Sequence, residues 1–265
     1  MQDKKRPLYL KLPIRPAPFP PHAQRVLSRP IWLRHKKLTM LRGKDGERAL
    51  MRSACALGGH EWIDAVPTRP EFCLPAVLFL PAFRHYLGLD TWMGEDLPLQ
   101  CRHTVPAGTP LSAHALSCTK GGSAHAKHDA LARAWLSFLR RCGVVITVDG
   151  EYAPFGAGDD RRLDGAVAGL PDTVWEMMLD VAITGVTNAS GIARGKDTNL
   201  GAAVSAENDK RRKYENDLTC AGLGFIPVAH ELTGAMGPAA RDELFMPALK
   251  VMKEKELGQQ ARARA

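Results

Sequence analysis

The stretch LDGAVAGLPDTVWEMMLDVAIT, residues 163–184, decides the fold that we expect. Its two ends, residues 163–168 and 174–184, are rich in apolar and β-branched residues and flank a Gly, Pro and Asp turn, so they predict two neighbouring β-strands. The following residues, 185–201, are rich in Gly, Asn, Ser and Thr and predict a loop. Apolar periodicity on either side predicts further strands at 144–148 and 225–229 and helices at 124–142, 202–221 and 239–257. This order predicts an α/β fold with a mixed central sheet flanked by helices.

The chain has 265 residues, a formal net charge of +8 and 45% hydrophobic residues, which predicts a globular protein with a substantial core. The longest apolar run, residues 74–83, is short and contains two prolines, so we expect no membrane span. No apolar signal segment follows the basic N-terminus, and we therefore expect an intracellular protein, nuclear or cytoplasmic. Six irregularly spaced cysteines favour metal ligation or burial over a disulfide framework.

The positive charge is concentrated near the N-terminus. Residues 1–52 contain 14 Lys and Arg against 3 Asp and Glu, whereas residues 53–265 contain 22 against 25. The first 32 residues are also rich in proline, which predicts a basic, disordered arm. Such an arm suits a nucleic-acid backbone, because neutralising phosphates releases counterions. The alternative is a solvated or targeting tail.

Cysteine and histidine pairs mark a segment without a hydrophobic pattern, residues 99–122. Cys101 and His103 form one close pair, and His114 and Cys118 form a second pair beyond a turn-rich loop. Four N and S ligands in two pairs predict a structural Zn²⁺ site, which would order a loop that no core supports. The alternative is a surface histidine at 103 and a small buried cysteine at 118.

An aspartate lies inside each strand of the opening stretch, Asp164 in the first and Asp180 in the second. A charge in an apolar strand is costly unless it is paired or binds a metal. Two carboxylates on adjacent strands are suited to Mg²⁺, which prefers oxygen ligands and leaves room for water and phosphate. The alternative is that each aspartate ends a strand and faces solvent.

Basic residues occupy the helices on both sides of these strands. Lys210, Lys213 and Tyr214 share one side of a helix, where a lysine could orient a water or stabilise charge on a phosphate. Lys127 and His128 begin the earlier helix, where a phosphate could be held. The alternatives are a solvated charged face in the first case and polar first-turn residues in the second.

In their order and spacing these motifs resemble the C-terminal restriction-endonuclease-like region, of the PD-(D/E)XK type, of non-LTR retrotransposon polyproteins. The resemblance runs from about Trp62 to Gly237. It covers the zinc knuckle, an Arg-His-Asn-like motif at 127–129, the two acidic strands and a Lys-rich helix ending in Lys-Tyr. Leu163 replaces the proline of the family, and Ala182 stands where its lysine would be, so the helix would supply that lysine.

The resemblance implies a DNA endonuclease that nicks its target. Asp164 and Asp180 would hold Mg²⁺, and Lys210 or Lys213 would position the attacking hydroxide. The residues implied to contact nucleic acid, DNA or RNA, are Lys127, His128, Arg211, Arg212 and Tyr214. The sequence contains no Tyr-x-Asp-Asp-like segment and therefore no polymerase core of such a polyprotein. The resemblance is compatible both with an active nuclease and with the decayed fragment of one. The alternative function is a non-catalytic nucleic-acid-binding relic of a reverse transcriptase polyprotein.

Five segments follow from these patterns. They are a disordered arm at 1–32, a helical remnant of the reverse transcriptase tail at 33–98, a zinc-knuckle segment at 99–122, the nuclease-like domain at 123–257 and a disordered tail at 258–265. Residues 119–243 contain 14 basic and 17 acidic residues. DNA affinity would therefore come from the arm, local basic clusters and the metal, and the sequence gives no oligomeric state.

Overall fold

The computed structural model describes residues 23–59, 123–156 and 158–264. The chain divides into two units, and the boundary between them along the sequence falls after Arg42. The first unit contains helix α1, Ala23–Arg42. This helix begins well before the boundary predicted at residue 32, because the residues after Pro21 include good helix formers such as Ala, Gln, Arg and Leu. The part of the predicted disordered arm from residue 23 onward is therefore helical.

The second unit contains five α-helices, four strands and one π-helical turn within the described residues. Their bounds are α2 Asp45–Ala54, α3 Ser123–Cys142, β1 Val145–Tyr152, β2 Leu163–Ala168, β3 Met177–Thr184, α4 Ala189–Gly195, α5 Gly201–Cys220, β4 Gly224–Glu231, the π-helical turn Ala240–Phe245 and α6 Met246–Arg264. Helix α6 continues through most of the predicted disordered tail, since that tail has no proline. None of the described helices has the length and apolar character to cross a membrane.

The four strands form one sheet in chain order, β1-β2-β3-β4. The pairs β1–β2 and β2–β3 are antiparallel, whereas β4 runs parallel to β3. A parallel neighbour needs a long crossover connection, and helices α4 and α5 provide it. The prediction of an α/β fold with a mixed sheet flanked by helices is therefore confirmed.

Helices cover the sheet on both faces. On one face the core contains Trp135 and Leu139 of α3 and Leu244 of the π-helical turn. On the other face Tyr214 and Leu218 of α5 pack against the sheet. Strand β4 is buried along its whole length, as expected for a parallel strand with helices on both sides.

One buried carboxylate joins α5 to the C-terminal helical segment. Glu207 is 4% exposed, and its oxygens accept hydrogen bonds from the backbone N–H groups of Ala239, at 3.1 and 3.2 Å, and Ala240, at 3.3 Å. Burial raises the pKa of Glu207, and these hydrogen bonds partly oppose that effect. The first N–H groups of a helix have no carbonyl acceptor within that helix, and the Glu207 carboxylate accepts their hydrogen bonds here.

Candidate metal centre

Asp164 and Asp180 lie side by side on the antiparallel strands β2 and β3. The pairing of the two strands ends with Gly165 opposite Leu179, and each aspartate is the residue next to that last pair. An Asp164 Oδ2 also accepts a hydrogen bond from the backbone N–H of Val181 at 2.6 Å. The sheet therefore brings together the two carboxylates that the sequence analysis paired.

His128 of α3 completes a cluster with the two aspartates. Its Nε2 lies 3.2 Å from Asp164 Oδ2 and 3.1 Å from the carbonyl oxygen of Val181, and its Nδ1 lies 3.3 Å from Asp129 Oδ1. Carboxylate and carbonyl oxygens only accept hydrogen bonds, so this arrangement favours the imidazolium form, in which both ring nitrogens donate. The hydrogen bond to Asp164 accordingly raises the pKa of His128 to about 9, although burial opposes this.

Lys210 of α5 contacts the cluster at Asp180. Its Nζ lies 2.6 Å from Asp180 Oδ2, and the Asp180 side chain is 4% exposed. Burial raises the pKa of Asp180 to about 6; Lys210 lowers it and the neighbouring Asp164 raises it further. Burial also acts to raise the pKa of Asp164, but hydrogen bonds from His128 and Val181 outweigh it and hold that pKa below its ordinary value.

The structure distinguishes the two lysines that the sequence analysis left as alternatives. Lys213 is exposed and its Nζ lies 4.7 Å from the centre of the Tyr214 ring, in a cation–π contact. Lys210 is the lysine placed against Asp180. The lysine for the acidic pair is therefore Lys210.

Tyr214 is placed differently from the prediction that it contacts nucleic acid. Its side chain is buried, its ring stacks on Phe155 at 5.7 Å between ring centres, and its hydroxyl donates a hydrogen bond to the carbonyl oxygen of Arg162 at 3.3 Å. A ring buried in this way offers no face on which a base could stack. The physical reason is that Tyr214 lies on the same side of α5 as Leu218, which packs on the sheet.

The other residues predicted to contact nucleic acid divide into two groups. Arg211 pairs with Glu215 at 2.6 Å and with Glu243 at 2.5 Å, so its guanidinium already links α5 to the π-helical turn. Arg212 is exposed and pairs with Asp209. Lys127 is partly exposed on α3 beside His128.

The four zinc candidates Cys101, His103, His114 and Cys118 lie outside the described residues. Two features of the centre were not predicted. One is the contact of His128 with Asp164, and the other is the Val181 carbonyl beside the same ring. A cluster that joins α3 to β3 depends on tertiary packing, and a backbone carbonyl leaves no signal in the residue type.

The cluster has the composition of a divalent-cation site. One possible ligand atom from each of His128, Asp164 and Asp180 lies within 4.8 Å of the others, and Mg²⁺ requires oxygen ligands at about 2.0–2.1 Å. The Asp180 carboxylate is buried and has the Lys210 ammonium as its charged partner at 2.6 Å. The neighbouring Asp164 carboxylate acts against its ionisation, and a divalent cation bound by both carboxylates would offset that repulsion.

A scan against protein-family models gives no match for this chain, and a search of the curated proteins gives none either.

Proposed function

We propose that this chain is a metal-dependent DNA endonuclease that nicks one strand by hydrolysing a phosphodiester bond. The observation that carries the proposal is the meeting of Asp164, Asp180 and His128 within 4.8 Å, with the Lys210 ammonium 2.6 Å from Asp180. Two carboxylates on neighbouring strands and a lysine are the groups that the PD-(D/E)XK resemblance implies, and here the lysine comes from α5. The resemblance supports the substrate class.

Asp164 and Asp180 would hold Mg²⁺, which supplies charge neutralisation at the phosphate when bound. The Lys210 ammonium can donate a hydrogen bond to an attacking water or to a phosphate oxygen, so it would orient the water and stabilise the added negative charge at phosphorus. The His128 imidazolium and the Val181 N–H both donate to Asp164. These two donors fix the orientation of that carboxylate, and His128 is a positioning residue in this mechanism.

The charges of the centre explain why a cation is required. The region 119–243 has more acidic than basic residues, and two carboxylates beside a phosphodiester repel it. Lys210 and His128 balance the two carboxylates but leave no positive excess. A divalent cation would supply that excess at the place where the phosphate must lie.

A plasmid-nicking assay with Mg²⁺ tests the proposal. We expect the wild-type chain to convert supercoiled plasmid to open circles, and Asp164→Asn and Asp180→Asn to reduce the rate at least about 100-fold. The matched control is Asp172→Asn, in the turn between the same two strands. Its side chain is 91% exposed and its φ is 65°, a conformation that asparagine tolerates, so this variant should keep the wild-type rate.

If Asp180→Asn nicked the plasmid at the same rate as the wild type, the assignment of the centre would be overturned. Salt-sensitive DNA or RNA binding without nicking, retained in both centre variants, would instead indicate the non-catalytic nucleic-acid-binding relic.

A further inference from the structure

A cleft on the outer side of α5 contains two arginines and several neutral polar side chains. It has a volume of about 360 Å³ and is lined by Arg194, Thr198, Ser205, Asn208, Asp209 and Arg212. A space of this size accommodates a small ligand or one unit of a polymer. Arg212 and Lys210 are two residues apart, which is about 200° around a helix, so the cleft and the candidate metal centre lie on opposite sides of α5.

The charge of the cleft selects its ligand. Asp209 pairs with Arg212, whereas Arg194 is exposed and has no carboxylate partner among the described residues. The lining therefore has a single positive excess. A phosphodiester carries one negative charge at neutral pH, which this single positive excess balances.

The neutral side chains of the cleft suit the same ligand. Within the part of the chain that the structure describes, the Ser205 hydroxyl and the Asn208 amide have no hydrogen-bond partner. Hydroxyl and amide groups, together with arginine, are the usual donors to the free oxygens of a nucleic-acid backbone. A guanidinium can bind two such oxygens at once.

We propose that this cleft binds a phosphodiester of the DNA strand at a distance from the bond that is cut. The inference rests on the proposed function for the identity of the polymer, and it adds a second contact to the one made at the metal centre. The cleft would fix the path of the DNA across α5 without touching the reacting atoms. Loss of the cleft should therefore weaken binding and leave the chemical step intact.

Equilibrium binding of a 20-base-pair duplex, followed by fluorescence anisotropy in EDTA over a range of salt, tests the proposal without requiring cleavage. We expect Arg194→Gln and Asn208→Asp each to weaken binding at least about 3-fold. Arg194→Gln should also reduce the slope of log affinity against log salt by about 1, since each neutralised phosphate contributes about 0.9.

Two variants make the same chemical changes outside the cleft. Arg141→Gln removes an exposed arginine from the last turn of α3, and Asn216→Asp adds a charge to an exposed site on α5. Both should keep the wild-type affinity and salt slope. Inorganic phosphate should compete with the duplex only at a concentration well above that of the duplex phosphates.

Equal salt slopes for Arg194→Gln and the wild type would overturn the proposal. An equal loss of duplex affinity in the cleft variants and the control variants would overturn it as well. A wild-type chain that does not bind the duplex at all would overturn it too. The result is separable from the nicking assay. DNA binding that depends on Arg194 in a chain that does not nick would remove the proposed cleavage and support the cleft.

Discussion

Asp180→Asn should stabilise the metal-free protein at pH 8 while removing its response to Mg²⁺. Burial raises the pKa of Asp180 from 3.8 to about 6, even though Lys210 opposes the change. In the absence of metal the folded protein therefore resists ionisation of this carboxyl. The difference between those pKa values corresponds to a cost of at most about 3 kcal/mol above pH 6.

The sign follows from the raised pKa. The neutral carboxyl favours the folded state fully below pH 3.8, and this contribution is lost as the pH rises to about 6. An asparagine has nearly the same shape and never ionises, so the advantage of the variant should grow between pH 4 and pH 6 and then level off. For a domain of this size, up to about 3 kcal/mol corresponds to a rise in Tm of roughly 5–10 °C.

Thermal unfolding in EDTA and in excess Mg²⁺, at a series of pH values, measures both effects. At 100 times its Kd, Mg²⁺ should stabilise the wild type by about 2.7 kcal/mol and should leave the variant almost unchanged. The reasoning is refuted if Asp180→Asn melts below the wild type in EDTA at pH 8, or if the gap between them does not change from pH 4 to pH 8.

Three further predictions concern single side chains. Lys210→Met should lower the nicking rate about 100-fold or more, whereas Lys213→Met should change it only a few-fold; kinetics on supercoiled plasmid compare the two. Glu207→Ala should lower the free energy of unfolding by about 2–3 kcal/mol in urea titrations, because it leaves buried N–H groups unpaired; an unchanged midpoint would contradict this. His128→Gln should cost about 1 kcal/mol at pH 7 in EDTA, a value reduced for its partial exposure. That cost should disappear above pH 9, because a pKa raised to about 9 gives stability that is lost as the pH rises through it.

The sequence predicted the strands that carry the centre, because their apolar pattern does not depend on tertiary contacts. Strand β2 has the predicted bounds, and β3 ends at the predicted residue. The start of β3 differs, since Val174 is 93% exposed and the strand begins only at Met177. Valine and tryptophan favour strands, but strand propensity acts only where a neighbouring strand can pair.

The elements that were missed depend on contacts distant in the chain or on local capping. Helix α4 lies in a stretch that was predicted to be a loop because of its Gly, Asn, Ser and Thr content. It forms because the Asn188 side chain accepts a hydrogen bond from the N–H of Gly191 at 2.7 Å and because α4 packs near α2. The burial of Tyr214 could be predicted from the sequence, because Tyr214 lies on one side of the helix with Leu218, four residues away, and Glu207, seven residues away.

His128 shows why the site was harder to predict than the fold. A histidine in the first turns of a helix resembles a surface residue or a phosphate ligand in sequence, and its distance from Asp164 along the chain gives no sign of contact. Only the packing of α3 on the sheet brings its ring between Asp164 and the Val181 carbonyl.

The two aspartates of the centre have different partners, since the His128 ring stabilises the Asp164 carboxylate and Lys210 stabilises that of Asp180. At Asp180 the effect of burial exceeds that of Lys210, so the pKa lies above its ordinary value, whereas at Asp164 the hydrogen bonds from His128 and Val181 outweigh burial and the pKa lies below it. Below about pH 6 Asp180 therefore still carries a proton that a cation entering this centre would have to displace, while Asp164 loses its proton at a lower pH. Asp180 is thus the carboxyl that couples metal binding to pH.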